Sequence, residues 1–145
     1  MIKSYKEYVN ESAGVELTQE QRDWLDECKR GTWRLNEQTG LVDVHGDFSF
    51  SWQGLESFKG VQFGHVSGYF SCSTNNLTSL KGLPMEIKGG INLDRNPIWK
   101  EIDPMVSGMS EDEKRFFYKF AAVDQTGDAE SLKRIARSIE RMRMI

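Results

Sequence analysis

The sequence is short of cysteine, proline and histidine. Its 145 residues include two Cys, three Pro and two His. Cys28 and Cys72 lie far apart, no Cys/His spacing suits zinc, and no disulfide is assigned; two such thiols fit a reducing compartment. With only His45 and His65 as imidazoles, there are few groups from which to build a nucleophile–base pair. No apolar run approaches the roughly 18 residues that a membrane span needs, so no membrane role is expected. Residues 1–15 lack the apolar core of a secretory signal. Basic residues are not in excess either. The 19 Lys and Arg face 22 Asp and Glu, a net charge of −3, which argues against general nucleic-acid binding. What remains is a 38% hydrophobic, 28% charged chain, enough for one folded domain with a single core.

What is present is self-similarity. Three segments align: VHGDFSFSWQGLESF (44–58), VSGYFSCSTNNLTSL (66–80) and IKGGINLDRNPIWKEI (87–102). Their leading aliphatics, Val44, Val66 and Ile87, are 22 and 21 residues apart. A glycine follows two positions later (Gly46, Gly68, Gly89). An alternating apolar pair comes next: Phe48/Phe50, Phe70/Cys72, Ile91/Leu93. Then comes an amide (Gln53, Asn75, Asn96), and two residues on an apolar side chain (Leu55, Leu77, Ile98). Apolar residues two apart point to one side of a strand, so these pairs should share an interior. Stacked copies bury a core that no single copy can. The amides are expected to bond the backbone of neighbouring turns, and the glycines to allow positive φ or close backbone approach.

The flanks read as helices and a hairpin. Thr18 and Gln21 form a capping box for a helix to about Lys29, with Trp24, Leu25 and Cys28 inward. Residues 33–35 and 41–44, separated by NEQTG, predict a hairpin. Ser110 and Glu113 form a second capping box for a helix to about Ala122, with Phe116, Phe117 and Phe120 inward. Asp128 caps a last helix with an apolar stripe of Leu132, Ile135, Ala136, Ile139 and Met142. The expected organisation is a helical or targeting-like segment over 1–16, a helix-plus-hairpin cap over 17–43, a repeat stack over 44–102 and a two-helix cap over 103–145.

The strings VSGYFSCSTNNLTSLKGLP and TWRLNEQTGLVDVHGDF resemble leucine-rich-repeat-like proteins of T-even-type tailed phages, over roughly residues 17–100. Ile87 stands one residue early for the general leucine-rich repeat, and Gln53 replaces its asparagine. Together with the periodicity, the resemblance implies an α+β chain: a short leucine-rich-repeat-like β solenoid of about three repeats, capped by helices at both ends. MIKSYKEYVNE (1–11) is similar to the capsid-targeting segment of phage internal head proteins. That resemblance implies cleavage after Glu11, with Ser12 as the new first residue and Val9 in place of the usual Ile or Leu.

The residues point to contact rather than catalysis. His45 and His65 sit near turns, Cys72 in an inward column, and Asp26 and Glu27 at adjacent helical positions that face apart. No catalytic, metal or cofactor site is therefore assigned, and no enzyme is expected. The residues between the inward pairs form outward columns: Asp47, Tyr69 and Gly90; Ser49, Ser71 and Asn92; Ser51, Ser73 and Asp94. With Trp52 and Arg95 they form the expected partner-binding face, since aromatics and arginine dominate interface energies. Lys133, Arg134, Arg137 and Arg141 make the last helix a second, basic surface. The leading expectation is a phage accessory protein in the host cytoplasm that binds and modulates a host protein, with inhibition of host defence as one form. Two alternatives stay open: a packaged or structural virion protein, and a nucleic-acid binder acting through the last helix.

Overall fold

The computed structural model describes residues 16–143. The expected processing positions Glu11 and Ser12, and all but the last residue of the helical or targeting-like segment expected over 1–16, lie outside the described residues. Within them the chain is α+β but not the expected leucine-rich-repeat-like solenoid. Four helices accompany two small open sheets. The strands are β1 (Thr32–Leu35), β2 (Val42–His45), β3 (Phe48–Ser49), β4 (Phe63–Val66), β5 (Tyr69–Ser71), β6 (Glu86–Ile87) and β7 (Gly90–Asn92). One sheet is four-stranded, in the order β1-β2-β4-β6; the other is three-stranded, in the order β3-β5-β7.

The physical reason for the correction lies in the bend within each copy. At Gly46, Gly68 and Gly89 the chain turns, sending a first strand into one sheet and a second strand into the other. A Cβ on Gly68 would sit 2.7 Å from the carbonyl carbon of Gly46, and one on Gly89 would sit 2.5 Å from that of Gly68. Successive bends therefore touch backbone to backbone, and only glycine fits. β1 then pairs antiparallel with β2 and makes that sheet mixed. The third copy keeps the pattern through Asn96 and enters a helix at Pro97, and among the described residues no further strand extends either sheet.

Between copies the pairing is parallel and in register: Phe48 opposite Phe70, and Phe70 opposite Ile91. Phe48, Phe50, Phe70 and Cys72 are fully buried and Leu93 nearly so, whereas Ile91 is only partly covered. Phe48 and Phe70 stack at 5.7 Å between ring centroids, and Trp24 meets Phe48 edge-on at 5.4 Å. Below the rings runs an amide ladder. Asn75 accepts from the Gln53 and Leu55 backbone N–H groups and donates to the Phe50 and Cys72 carbonyls. Asn96 accepts from Leu77 N–H and donates to the Cys72 and Leu93 carbonyls. Gln53 leaves the ladder: it is exposed, and its Oε1 takes the indole N–H of Trp24 at 2.9 Å.

Helix α1 (Gln19–Cys28) starts at the Thr18–Gln21 capping box and buries Trp24, Leu25 and Cys28 against the first copy. Helix α2 (Pro97–Val106) is a correction: it takes the place of the end of the repeat stack expected to run to residue 102 and continues into the region expected as the C-terminal cap. Pro97 opens it, a position where the missing N–H costs nothing. The N-cap residue, Asn96, makes no side-chain cap bond because its amide serves the ladder. Helix α3 (Glu111–Val123) begins at the Ser110–Glu113 capping box, and α4 (Ala129–Met142) begins at Asp128. The expected inward trio on α3 is corrected. Phe117 is buried with Ala121 and Ala122, while Phe116 and Phe120 face solvent at 53% and 49% exposure. Met142 is likewise exposed, so the α4 stripe is Leu132, Ala136 and Ile139, with Ile135 partly covered.

Candidate interaction surface

The outer face of the three-stranded sheet gathers most of the residues singled out from sequence. Ser49 stands opposite Ser71, and Ser71 opposite Asn92, in one outward column. Ser51 Oγ lies 3.1 Å from the hydroxyls of both Ser71 and Ser73. Asp47 Oδ1 accepts from Tyr69 N–H at 2.7 Å and so braces the start of β5. Tyr69 is 46% exposed, and its ring lies over Gly90, where φ is +127° and a Cβ would come within 3.0 Å of the ring. Asn92 Oδ1 accepts from Asp94 N–H at 3.0 Å; Asp94 and Arg95 are exposed.

At the far end of this face, Trp52 and Arg95, both expected from sequence, fall into one row with Thr74, which was not. Trp52, Thr74 and Arg95 occupy equivalent places in the three copies, and all three are left-handed, with φ of 65°, 56° and 59°. They are tied copy to copy: Trp52 N–H donates to the Thr74 carbonyl at 3.1 Å, and Thr74 N–H to the Asp94 carbonyl at 2.9 Å. Left-handed backbone costs an L-residue about 1–2 kcal/mol and is normally given to glycine or asparagine. Here it holds a tryptophan that is 73% exposed. The repeat offset alone brings 52, 74 and 95 into line; the backbone conformation is what sets the row apart.

Elsewhere several titratable groups serve the fold. His65 Nδ1 pairs with Glu86 at 3.1 Å on the face of the four-stranded sheet, and His45 is exposed on β2. Cys28 and Cys72 are free, buried thiols whose pKa burial pushes up. Among the described residues no group of three or more His, Cys, Asp or Glu side chains is placed to hold a metal ion. Among them, too, no helix is long and apolar enough to cross a membrane.

The basic positions of α4 divide into two sets. Lys133 Nζ bonds Glu101 on α2 at 2.7 Å; the pairing lowers the carboxyl pKa of Glu101 and raises that of Lys133. Arg143 binds Glu113 on α3, holding that carboxyl down to about 2. Arg134, Arg137 and Arg141 point away from the buried stripe; Arg134 also donates to Ser131 Oγ at 2.9 Å.

Compared with protein-family models, curated proteins and solved structures, the chain matches none.

Proposed function

We propose that this chain is a non-enzymatic accessory protein that binds a partner protein through the outer face of its three-stranded sheet, with Trp52 and Tyr69 as anchors and Arg95 beside them. The exposed, left-handed Trp52 carries the reading. Its ring meets no other aromatic ring among the described residues, so it adds little to the core, while its backbone conformation costs stability. Strain of this kind is retained where a side chain serves something other than folding. Around it, Ser49, Ser71, Asn92 and Asp94 supply small polar groups on a rigid, register-locked surface. Such a surface loses little entropy on binding. The likeness of residues 66–84 to T-even-type phage proteins supports a host protein as the partner, and modulation of that protein as the outcome.

The test compares tagged wild-type protein with Trp52→Gly and Tyr69→Ala in capture from bacterial host extract, with Thr78→Ala as an exposed control. A partner held by wild type and the control but lost by both variants is the expected result. Identical retention by all four proteins, or none by any, overturns the proposal.

A further inference from the structure

The α3–α4 hairpin carries a second surface, separate from the sheet face. Between Ser131 and Arg143 the chain has five cations and one carboxylate, Glu140, although the whole protein is acidic. The fold neutralises the two cations at the margins, Lys133 with Glu101 and Arg143 with Glu113. Arg134, Arg137 and Arg141 remain on one side of α4, at i, i+3 and i+7, opposite Leu132, Ala136 and Ile139. The Arg137 and Arg141 side chains make no ion pair or hydrogen bond among the described residues. The helix dipole favours cations only in the last turn. That accounts for Arg141; Arg134, two turns earlier, bonds Ser131 with one guanidinium nitrogen, and Arg137, one turn earlier, is left without a reason from folding.

The neighbouring helix adds a different kind of group. Phe116 and Phe120 are about half exposed on α3, with their rings 6.5 Å apart and 20° from parallel. Exposed Arg115 and Lys119 flank them. Arg143 Nη2 meets Glu113 Oε1 at 3.0 Å, which fixes the antiparallel alignment of the two helices. Counting back at about 1.5 Å per residue places Arg137 level with Lys119, and Arg141 level with Arg115.

We infer that the α3–α4 hairpin binds single-stranded nucleic acid, with Arg134, Arg137 and Arg141 on the phosphates and Phe116 and Phe120 as stacking platforms for the bases. Three features select this partner. The column is all arginine, whose planar fork engages phosphate oxygens two at a time. Its steps of about 4.5 Å and 6 Å along the axis allow contact with successive phosphates. The near-parallel, solvent-facing rings suit unpaired bases, whose faces a duplex hides.

The experiment is fluorescence anisotropy of the full chain with a labelled oligothymidylate of about 20 nucleotides, a length that spans a typical single-strand site. A duplex of equal length and a labelled polyglutamate are measured in parallel. Affinity for the single strand should exceed both and fall with salt at a slope near −2, about 0.7 per phosphate for three contacts. Arg137→Gln/Arg141→Gln should weaken binding at least tenfold and flatten the slope. Phe116→Ala/Phe120→Ala should weaken it about fivefold and leave the slope unchanged. These side chains are exposed, and circular dichroism melting of each variant checks that the fold is kept. Trp52→Gly should bind the oligonucleotide as wild type does, so this inference and the sheet-face proposal can fail separately. No binding at low salt, equal binding by the arginine variant, or tighter binding to duplex or polyglutamate overturns the inference; the last would mark an acidic protein partner.

Discussion

Six of the eight phenylalanines and two of the eight have opposite fates, and they occupy different parts of the molecule. Phe48, Phe50, Phe58, Phe63, Phe70 and Phe117 are buried, the first five in one cluster of touching rings that Trp24 meets at Phe48, Phe50 and Phe63. Phe116 and Phe120 stand in solvent on α3. Between the sheets, a period of two leaves an apolar side chain only one interior to enter, and stacked copies close it. On α3, residues 116, 117 and 120 spread around the helix. The 117/121 line meets the core, and the 116/120 line is left over. The same residue type is structural in one region and available for contact in the other; packing, rather than hydrophobicity, separates the two.

The sharpest break of this comparison is a pair of alanine variants. Phe70→Ala removes the ring that Phe48, Phe50, Phe58 and Phe63 all touch, and should cost about 3–5 kcal/mol in urea denaturation. Phe116→Ala should stay within about 0.5 kcal/mol of wild type. Similar losses in both would erase the distinction.

The next effect concerns the amide ladder. Asn96→Ala strands the buried Leu77 N–H and takes a donor from the Cys72 and Leu93 carbonyls, with an expected cost of about 2–3 kcal/mol. Gln53→Ala frees the Trp24 indole N–H at a partly buried position and removes a weak bond to Cys28 Sγ, and should cost about 1 kcal/mol. Equal midpoints for the two variants would show that the ladder does not distinguish its members.

A smaller change of opposite sign is expected at Trp52. Glycine relieves the left-handed strain but gains freedom in the unfolded chain, so Trp52→Gly should stabilise by about 0.5 kcal/mol net. A clear loss of stability would mean that the exposed ring supports the fold after all.

The last prediction is a pH effect at the mouth of the hairpin. Arg143, with Ser110, holds Glu113 at about 2, below the ordinary glutamate value of about 4.3. The folded state therefore binds that proton less readily than the unfolded chain. The stabilisation is present above about pH 4.3 and is lost as pH falls toward 2. Glu113→Gln should flatten the melting temperature against pH across that window; a curve parallel to wild type would detach the ion pair from stability.

Much of the architecture was legible because it is local. The capping boxes at Thr18 and Ser110 satisfy backbone N–H groups within three residues, and the aspartate at 128 does the same. The NEQTG turn joins strands that are neighbours in sequence. The 22- and 21-residue offsets set which side chains face one another, because parallel strands in register must repeat what each copy carries. Asn75 and Asn96 follow from that offset.

The sequence by itself thus determined the helix starts, the hairpin and the register of the copies, since each depends on groups close in the chain or repeated along it. Tertiary structure decided the rest. It split each copy between two sheets at a glycine bend, where one backbone rests on the next, and so replaced a solenoid with an open α+β fold. It turned Pro97–Val106 into a helix, because no fourth copy follows to pair with. It also chose Phe117 over Phe116 and Phe120, and set Trp52 in a left-handed turn facing solvent. Those outcomes depend on which surfaces meet across the fold, and no local spacing carries that information.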